Sequence, residues 1–224
     1  VRPDDEAVQK RRQQNLAAAR TDARGIAPSI RSFAQAIDRQ RQSVEHVPVL
    51  AASRAALVET ARALDEAEVA AIAVSVDDPA AELPVFARAA QAVSVPLLRC
   101  DLLLEEFQVY ESRAAGADAV LLQARLLPGE RLERLCAAAR ATHMAACVSC
   151  DTPEDVQRAA AARAAVVAVA QSGEAIFAAV PRRLLVLALE PSAAVRGRAD
   201  ALLDEAIGSA PDPAAAFRMV LEQD

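Results

Sequence analysis

The chain has 224 residues, is 54% hydrophobic, 25% charged and 3% aromatic, and carries a formal net charge of −6. That length and apolar content exclude disorder and allow one sizeable core. No apolar run approaches the roughly 20 residues a bilayer span needs, and the acidic balance gives no general electrostatic reason to bind nucleic acid. Of the 25 basic residues, 24 are arginine and one is lysine, Lys10. Chemistry that needs a lysine in the body of the fold is thereby excluded.

Residues 1–45 read as a polar, arginine- and glutamine-rich helical extension, broken around Gly25 to Ser29. From residue 46 to 224 the pattern becomes that of one domain. Short apolar runs at Val47–Ala52, Val69–Val76, Val95–Arg99, Ala117–Gln123, Ala145–Ser149, Ala165–Ala170 and Leu184–Leu189 predict strands. Stretches with a 3.6-residue period at Ala55–Leu64, Ala80–Ala92, Leu104–Ala115, Gly129–Ala141, Pro153–Ala162 and Gly173–Val180 predict helices between them. Continuous apolar strands alternating with helices imply parallel strands covered on both faces. Seven units are clear. Residues Arg198 to Ile207 match an eighth strand poorly and also fit a helix, which would leave the ring imperfectly closed. A (β/α)8 barrel with an N-terminal helical extension fits this order. An open, doubly wound sheet is the alternative, but Ala51 to Leu57 lacks the glycine-rich turn that a nucleotide site wants after its first strand.

One stretch is more specific. Val95-Pro96-Leu97-Leu98-Arg99-Cys100-Asp101-Leu102 continues through Gln108, Ser112 and Arg113 to Ala114-Ala115-Gly116-Ala117-Asp118-Ala119-Val120-Leu121-Leu122. It resembles the third strand, third helix and fourth strand of indole-3-glycerol phosphate synthases. Weaker echoes are Ser32-Phe33 with Ala36-Ile37, Asp151 before helix five, and Asp212-Pro213 before the last helix. The resemblance implies a (β/α)8 barrel with a helical extension and a catalytic face at the C-terminal ends of its strands.

The departures fall on the positions where that resemblance implies chemistry. The strand-three lysine position holds Cys100. The strand-one Glu-x-Lys aligns with Ala52 and Arg54, the strand-five glutamate with Val148 and the strand-six asparagine with Ala170. The strand-seven Glu-Ser-Gly segment aligns with Ala188-Leu189-Glu190, and the Val-Gly phosphate cradle after strand eight with Asp204-Glu205. The loops after strands one, two and seven are short, which is expected to remove the substrate pocket. Ring closure with loss of carbon dioxide and water needs a proton donor, an acceptor and charge stabilisation at one point. A thiol cannot replace an ammonium electrostatically, and a guanidinium does not readily give up its proton.

The remaining candidates have plainer readings beside them. If Val148 faces inward, Cys150 also faces inward and could share the mouth with Cys100, whereas Cys147 faces out, so the C-x-x-C cannot chelate one ion. Free cysteines usually pack as small apolar groups, and Cys136 is read that way. His46 and His143 precede strands at the opposite face, where residues serve stability. Asp77, Asp78, Asp101, Glu105, Glu106 and Asp151 form either a cation cluster or helix caps, and capping is favoured. The arginines of the extension read as a solvated face or a contact for another protein.

The expected function is a non-catalytic, pseudoenzyme-like barrel that binds a protein partner or regulates. The alternatives are a repurposed enzyme using Cys100, Cys150 and Arg54 with Asp101 and Asp151, or a divergent indole-3-glycerol phosphate synthase. No cofactor, metal, nucleic acid or membrane span is expected. A homo-oligomer is allowed, and the expected compartment is the cytoplasm, since no signal-peptide pattern is visible.

Overall fold

The computed structural model describes residues 4–38, 44–169, 174–189 and 197–222. Two helices precede the barrel, α1 (Asp5–Ala17) and α2 (Phe33–Ile37). The first four units are β1 (Glu45–Ala51) with α3 (Leu57–Glu66), β2 (Ile72–Ser75) with α4 (Pro79–Ala92), β3 (Leu97–Arg99) with α5 (Glu106–Ala114), and β4 (Ala119–Gln123) with α6 (Glu130–Ala141). Next come β5 (Ala145–Cys150) with α7 (Pro153–Ala161), β6 (Val166–Val169) with α8 (Glu174–Ala179), and β7 (Leu185–Ala188). The last elements are β8 (Ala201–Asp204), α9 (Glu205–Ser209) and α10 (Pro213–Leu221).

The eight strands form a closed barrel in sequence order. All pairings are parallel, and Glu45 to Pro48 of β1 pair with Ala201 to Asp204 of β8. Closure corrects the reading of residues 198–207 as a poor strand. Ala-Leu-Leu-Asp is too short to announce itself, but its neighbours supply the ladder. Asp200 is fixed to Val186 from both sides, by its backbone amide at 2.8 Å and by its carboxylate at 2.7 Å. The helical alternative is half right, because α9 begins at the residue after β8.

Side chains alternate between two cores, as the pleat requires. Val47, Ala73, Leu98, Leu121, Cys147, Ala168, Leu187 and Leu203 fill the barrel interior. Leu50, Val74, Leu97, Leu122, Val148, Val167 and Leu202 meet the helices outside. The interior is rich in alanine, and Phe33 and Ile37 of α2 fill it from the N-terminal end. Ser29 and Arg31 hold that end through Asp118: Ser29 Oγ donates to it at 2.6 Å and Arg31 Nε lies 2.8 Å from it.

Helix starts follow local chemistry. Asp78, Thr152 and Asp212 cap α4, α7 and α10, each followed by proline at the first helical turn. Glu105 opens α5 in a reciprocal box with Gln108.

Candidate functional site

The C-terminal ends of the strands open onto a cavity of about 700 Å³. Its floor comes from Val49 and Ala51 of β1, Ser75 of β2, Gln123 of β4, and Cys100 just after β3. Arg54, Asp77, Asp101 and Leu102 from the following loops form one wall, and Glu205, Gly208 and Ser209 of α9 form another. Short loops were expected to abolish the pocket. The cavity persists because α1 lies over the mouth and contributes Ala7, Lys10, Arg11 and Gln14.

Helix α1 is seated mainly by polar contacts. Arg11 donates to Asp101 Oδ2 at 2.7 Å, to the Leu102 carbonyl at 3.1 Å and to the Val76 carbonyl at 2.6 Å. Asp101 is held from below as well, by Arg99 Nε at 2.8 Å and Nη2 at 3.0 Å. Gln14 donates to the Asp77 carbonyl at 3.0 Å, and Asn15 donates to Gln108 Oε1 at 3.1 Å. Val8 makes a small apolar contact with Leu102 and Leu104. Arg99 is completely buried. Burial opposes its charge, but Asp101 and Glu111 more than offset this and raise its pKa.

Lys10 was placed outside the body of the fold, and the structure returns it to the mouth. A sequence signal existed. Residues 7, 10, 11 and 14 share one face of a helix. What the sequence lacked was where that face docks.

The expected catalytic positions also move. Ala52 packs in the outer core rather than in the cavity; Val49 and Ala51 are the β1 residues that line it. Arg54 reaches the rim, but its guanidinium is used: it donates to Thr60 Oγ1 and to the carbonyls of Gly208 and Ala210, each at 3.2 Å. Val148 and Cys150 both point to the outer core, and Cys147 points into the barrel. This reverses the expected orientation, and Ser149, alternating with Val148, takes the inward position at the end of β5. Cys150 therefore does not share the mouth with Cys100. Asp151 stands away from the cavity, 3.9 Å from Arg125. Ala170, Glu190 and residues 191–196 lie outside the described residues.

The acidic residues divide by role. Asp78 and Glu105 open helices, as capping predicted, and Glu106 pairs with Arg134 at 3.2 Å. Asp101 is an ion-pair hub, and Asp77 and Glu205 face the cavity. Among the described residues no group of three or more His, Cys, Asp or Glu side chains is arranged to hold a metal. His46 is a buried residue of β1, and its Nδ1 lies 3.0 Å from Asp204 Oδ2. Both alternate with inward neighbours, so Asp204 turns into the outer layer and only Glu205 meets the mouth. Burial pushes all four thiols up, Cys136 to about 12 and the other three further. They are poor nucleophiles at neutral pH, which weighs against the repurposed thiol enzyme.

No helix among the described residues is long and apolar enough to cross a membrane. A family model described as indole-3-glycerol phosphate synthase matches residues 2–172. An indole-3-glycerol phosphate synthase from Neisseria meningitidis serogroup C is 47% identical over 78 residues, 34% of this chain and 30% of that protein. One from Carboxydothermus hydrogenoformans is 30% identical over 159 residues, 62% of this chain and 60% of that protein. The chain thus spans less than two thirds of either curated relative. Among solved structures, orotidine 5'-phosphate decarboxylase from Pyrococcus horikoshii superposes with a TM-score of 0.64 at 15% identity, covering 79% of this chain and 98% of that one. Thiamine phosphate pyrophosphorylase from Pyrococcus furiosus gives 0.61 at 16% identity, covering 80% and 96%. At such identities the two structures speak for the barrel alone, whereas the family match runs through the extension and six of the strands. The chain belongs to the indole-3-glycerol phosphate synthase family.

Proposed function

We propose that this chain is a divergent family member that binds a small molecule at the barrel mouth without carrying out the family's ring closure. The observation that carries this reading is the set of residues at the mouth ends of β1 to β5. Ala51, Ser75, Cys100, Gln123 and Ser149 include no carboxylate, ammonium or imidazole. Ring closure needs a proton donor and acceptor placed against one substrate. A hydroxyl, an amide and a thiol with a raised pKa supply hydrogen bonds, not proton transfer near neutral pH. The cavity supports a ligand-binding role more directly than the protein-scaffold role expected from the sequence, since about 700 Å³ suits a small molecule.

The family match and the names of the relatives favour a second reading, a divergent synthase whose acid–base groups come from outside the strands. Lys10 is its specific support. It is the single lysine of the chain and it lines the cavity with Asp77 and Glu205.

Calorimetry and a product assay with carboxyphenylaminodeoxyribulose phosphate separate the readings. The first expects binding without formation of indole-3-glycerol phosphate. Turnover that disappears in Lys10→Met or Arg54→Ala protein would overturn it and establish the second. A protein that neither binds nor converts this compound would return the scaffold role to the front.

A further inference from the structure

We infer that α1 is a hinged cover over the mouth cavity, latched by Arg11 and able to lift while the barrel stays folded. The helix contributes four residues to the cavity wall, yet its seat is almost free of apolar packing. Of its side chains only Val8 is a buried hydrophobe, and Leu16 is 87% exposed. Polar contacts exchange protein partners for water at small net cost when they open. A helix held this way detaches far more easily than one held by an apolar stripe.

Two further observations point to lifting. Gln14 Oε1 is the only buried side-chain polar atom among the described residues without a hydrogen-bond partner. Its orientation is set by the Nε2 bond to the Asp77 carbonyl, so the closed state strips this oxygen of water and returns nothing. Opening relieves it. The chain after α1 runs through Gly25, at φ +75°, to Ser29 and Arg31, which are pinned to Asp118 at the opposite end of the barrel. Between residues 18 and 32 no helix or strand attaches the cover; just past its end Arg20 touches the barrel, as an exposed side chain 3.5 Å from Glu105 and over the Phe107 ring.

Arg11 opposes the release. Its three contacts reach the loops after β2 and β3 together, so closing α1 joins two separate rims. The cover also carries Lys10, and closure brings the chain's one lysine ammonium to the cavity. It serves either reading of the mouth, and its test uses no ligand.

Cys100 is a built-in reporter, because it lines the cavity whereas Cys136, Cys147 and Cys150 are fully buried elsewhere. Folded protein is treated with N-ethylmaleimide and the modified cysteine is identified by peptide mass. Wild type is expected to label slowly at Cys100. Arg11→Met is expected to raise that rate about ten- to a hundredfold, the scale of losing charge-assisted hydrogen bonds, with the other three cysteines still unmodified. Arg11→Lys keeps the charge but not the fork, and is expected to fall between; it carries the test alone if the Met variant does not fold. A Cys100 rate unchanged by either substitution would overturn the cover. So would labelling of all four cysteines together, because the barrel itself would then have opened.

Discussion

Arg11 and Asp101 lie 90 residues apart in sequence and 2.7 Å apart in space, with side chains 5% and 6% exposed. Arg99 grips the same carboxylate from the barrel side. One aspartate thus joins the extension to the mouth, just beyond the strand where the family resemblance implied a lysine.

Removing that aspartate leaves two buried guanidiniums facing each other. Asp101→Ala is expected to lower stability by about 3–5 kcal/mol, the usual cost of stranding buried charge. Combined with Arg11→Met, the loss is expected to fall short of the sum of the two single losses by about 0.5–3 kcal/mol. Urea denaturation of the four proteins checks both; strict additivity would mean that the pair is not coupled.

The thiols are expected to be silent in the native protein. Burial raises all four, and the thiolate is the reactive form. At pH 8, a disulfide reagent is expected to titrate four thiols in urea and react only slowly with Cys100 in buffer. Fast native reaction at Cys100 would revive the thiol-based enzyme.

Gly208 sits where α9 crosses β1. A Cβ there would come within 1.8 Å of the Val49 carbonyl oxygen and 2.5 Å of its carbon. Backbone cannot give way as a side chain does, so Gly208→Ala is expected to cost about 3 kcal/mol or more. It also displaces the carbonyl that Arg54 holds. Thermal melting measures the loss, and a change below about 1 kcal/mol would contradict this packing.

Asp204 links stability to pH. Burial alone would raise its carboxyl, but hydrogen bonds from His46 and the amides of Ile207 and Ala206 hold it below the ordinary value. A carboxyl lowered in the folded state contributes stability above its unfolded pKa of about 3.9. That contribution is lost as pH falls through the folded value. Asp204→Asn is expected to cost about 1–2 kcal/mol at pH 7, with the gap from wild type closing below pH about 4. Urea midpoints at pH 7, 5 and 3 test the sign, and a gap independent of pH would refute it.

Much of the fold was readable along the chain because each of its signals is local. The apolar runs from Val47 to Leu189 anticipated seven strands, and the 3.6-residue period anticipated the helices between them. Asp78 and Glu105, read as helix caps, do open helices, because capping is short-range hydrogen bonding. Only β8 escaped, since four residues carry too little pattern and its partners are β7 and the distant β1.

The candidate site was less readable, for a geometric reason. A shift of one residue turns every side chain of a strand to its other face. Aligning the strand-five position with Val148 therefore sent Cys150 inward and Cys147 outward, and the same kind of error put Ala52 at the mouth in place of Ala51. Register settles such choices, and register is a property of the assembled ladder.

The amino-acid sequence by itself determined that this chain is an alternating strand–helix barrel of its family, and that only one lysine exists to serve any chemistry. Periodicity and composition are properties of neighbours, so no partner was needed to see them. The tertiary structure decided that Lys10 stands at the mouth, that Arg11 meets Asp101, and that short loops still enclose a cavity. Each of these depends on where a polar helix docks, and its docking partners lie some 60 to 90 residues away along the chain.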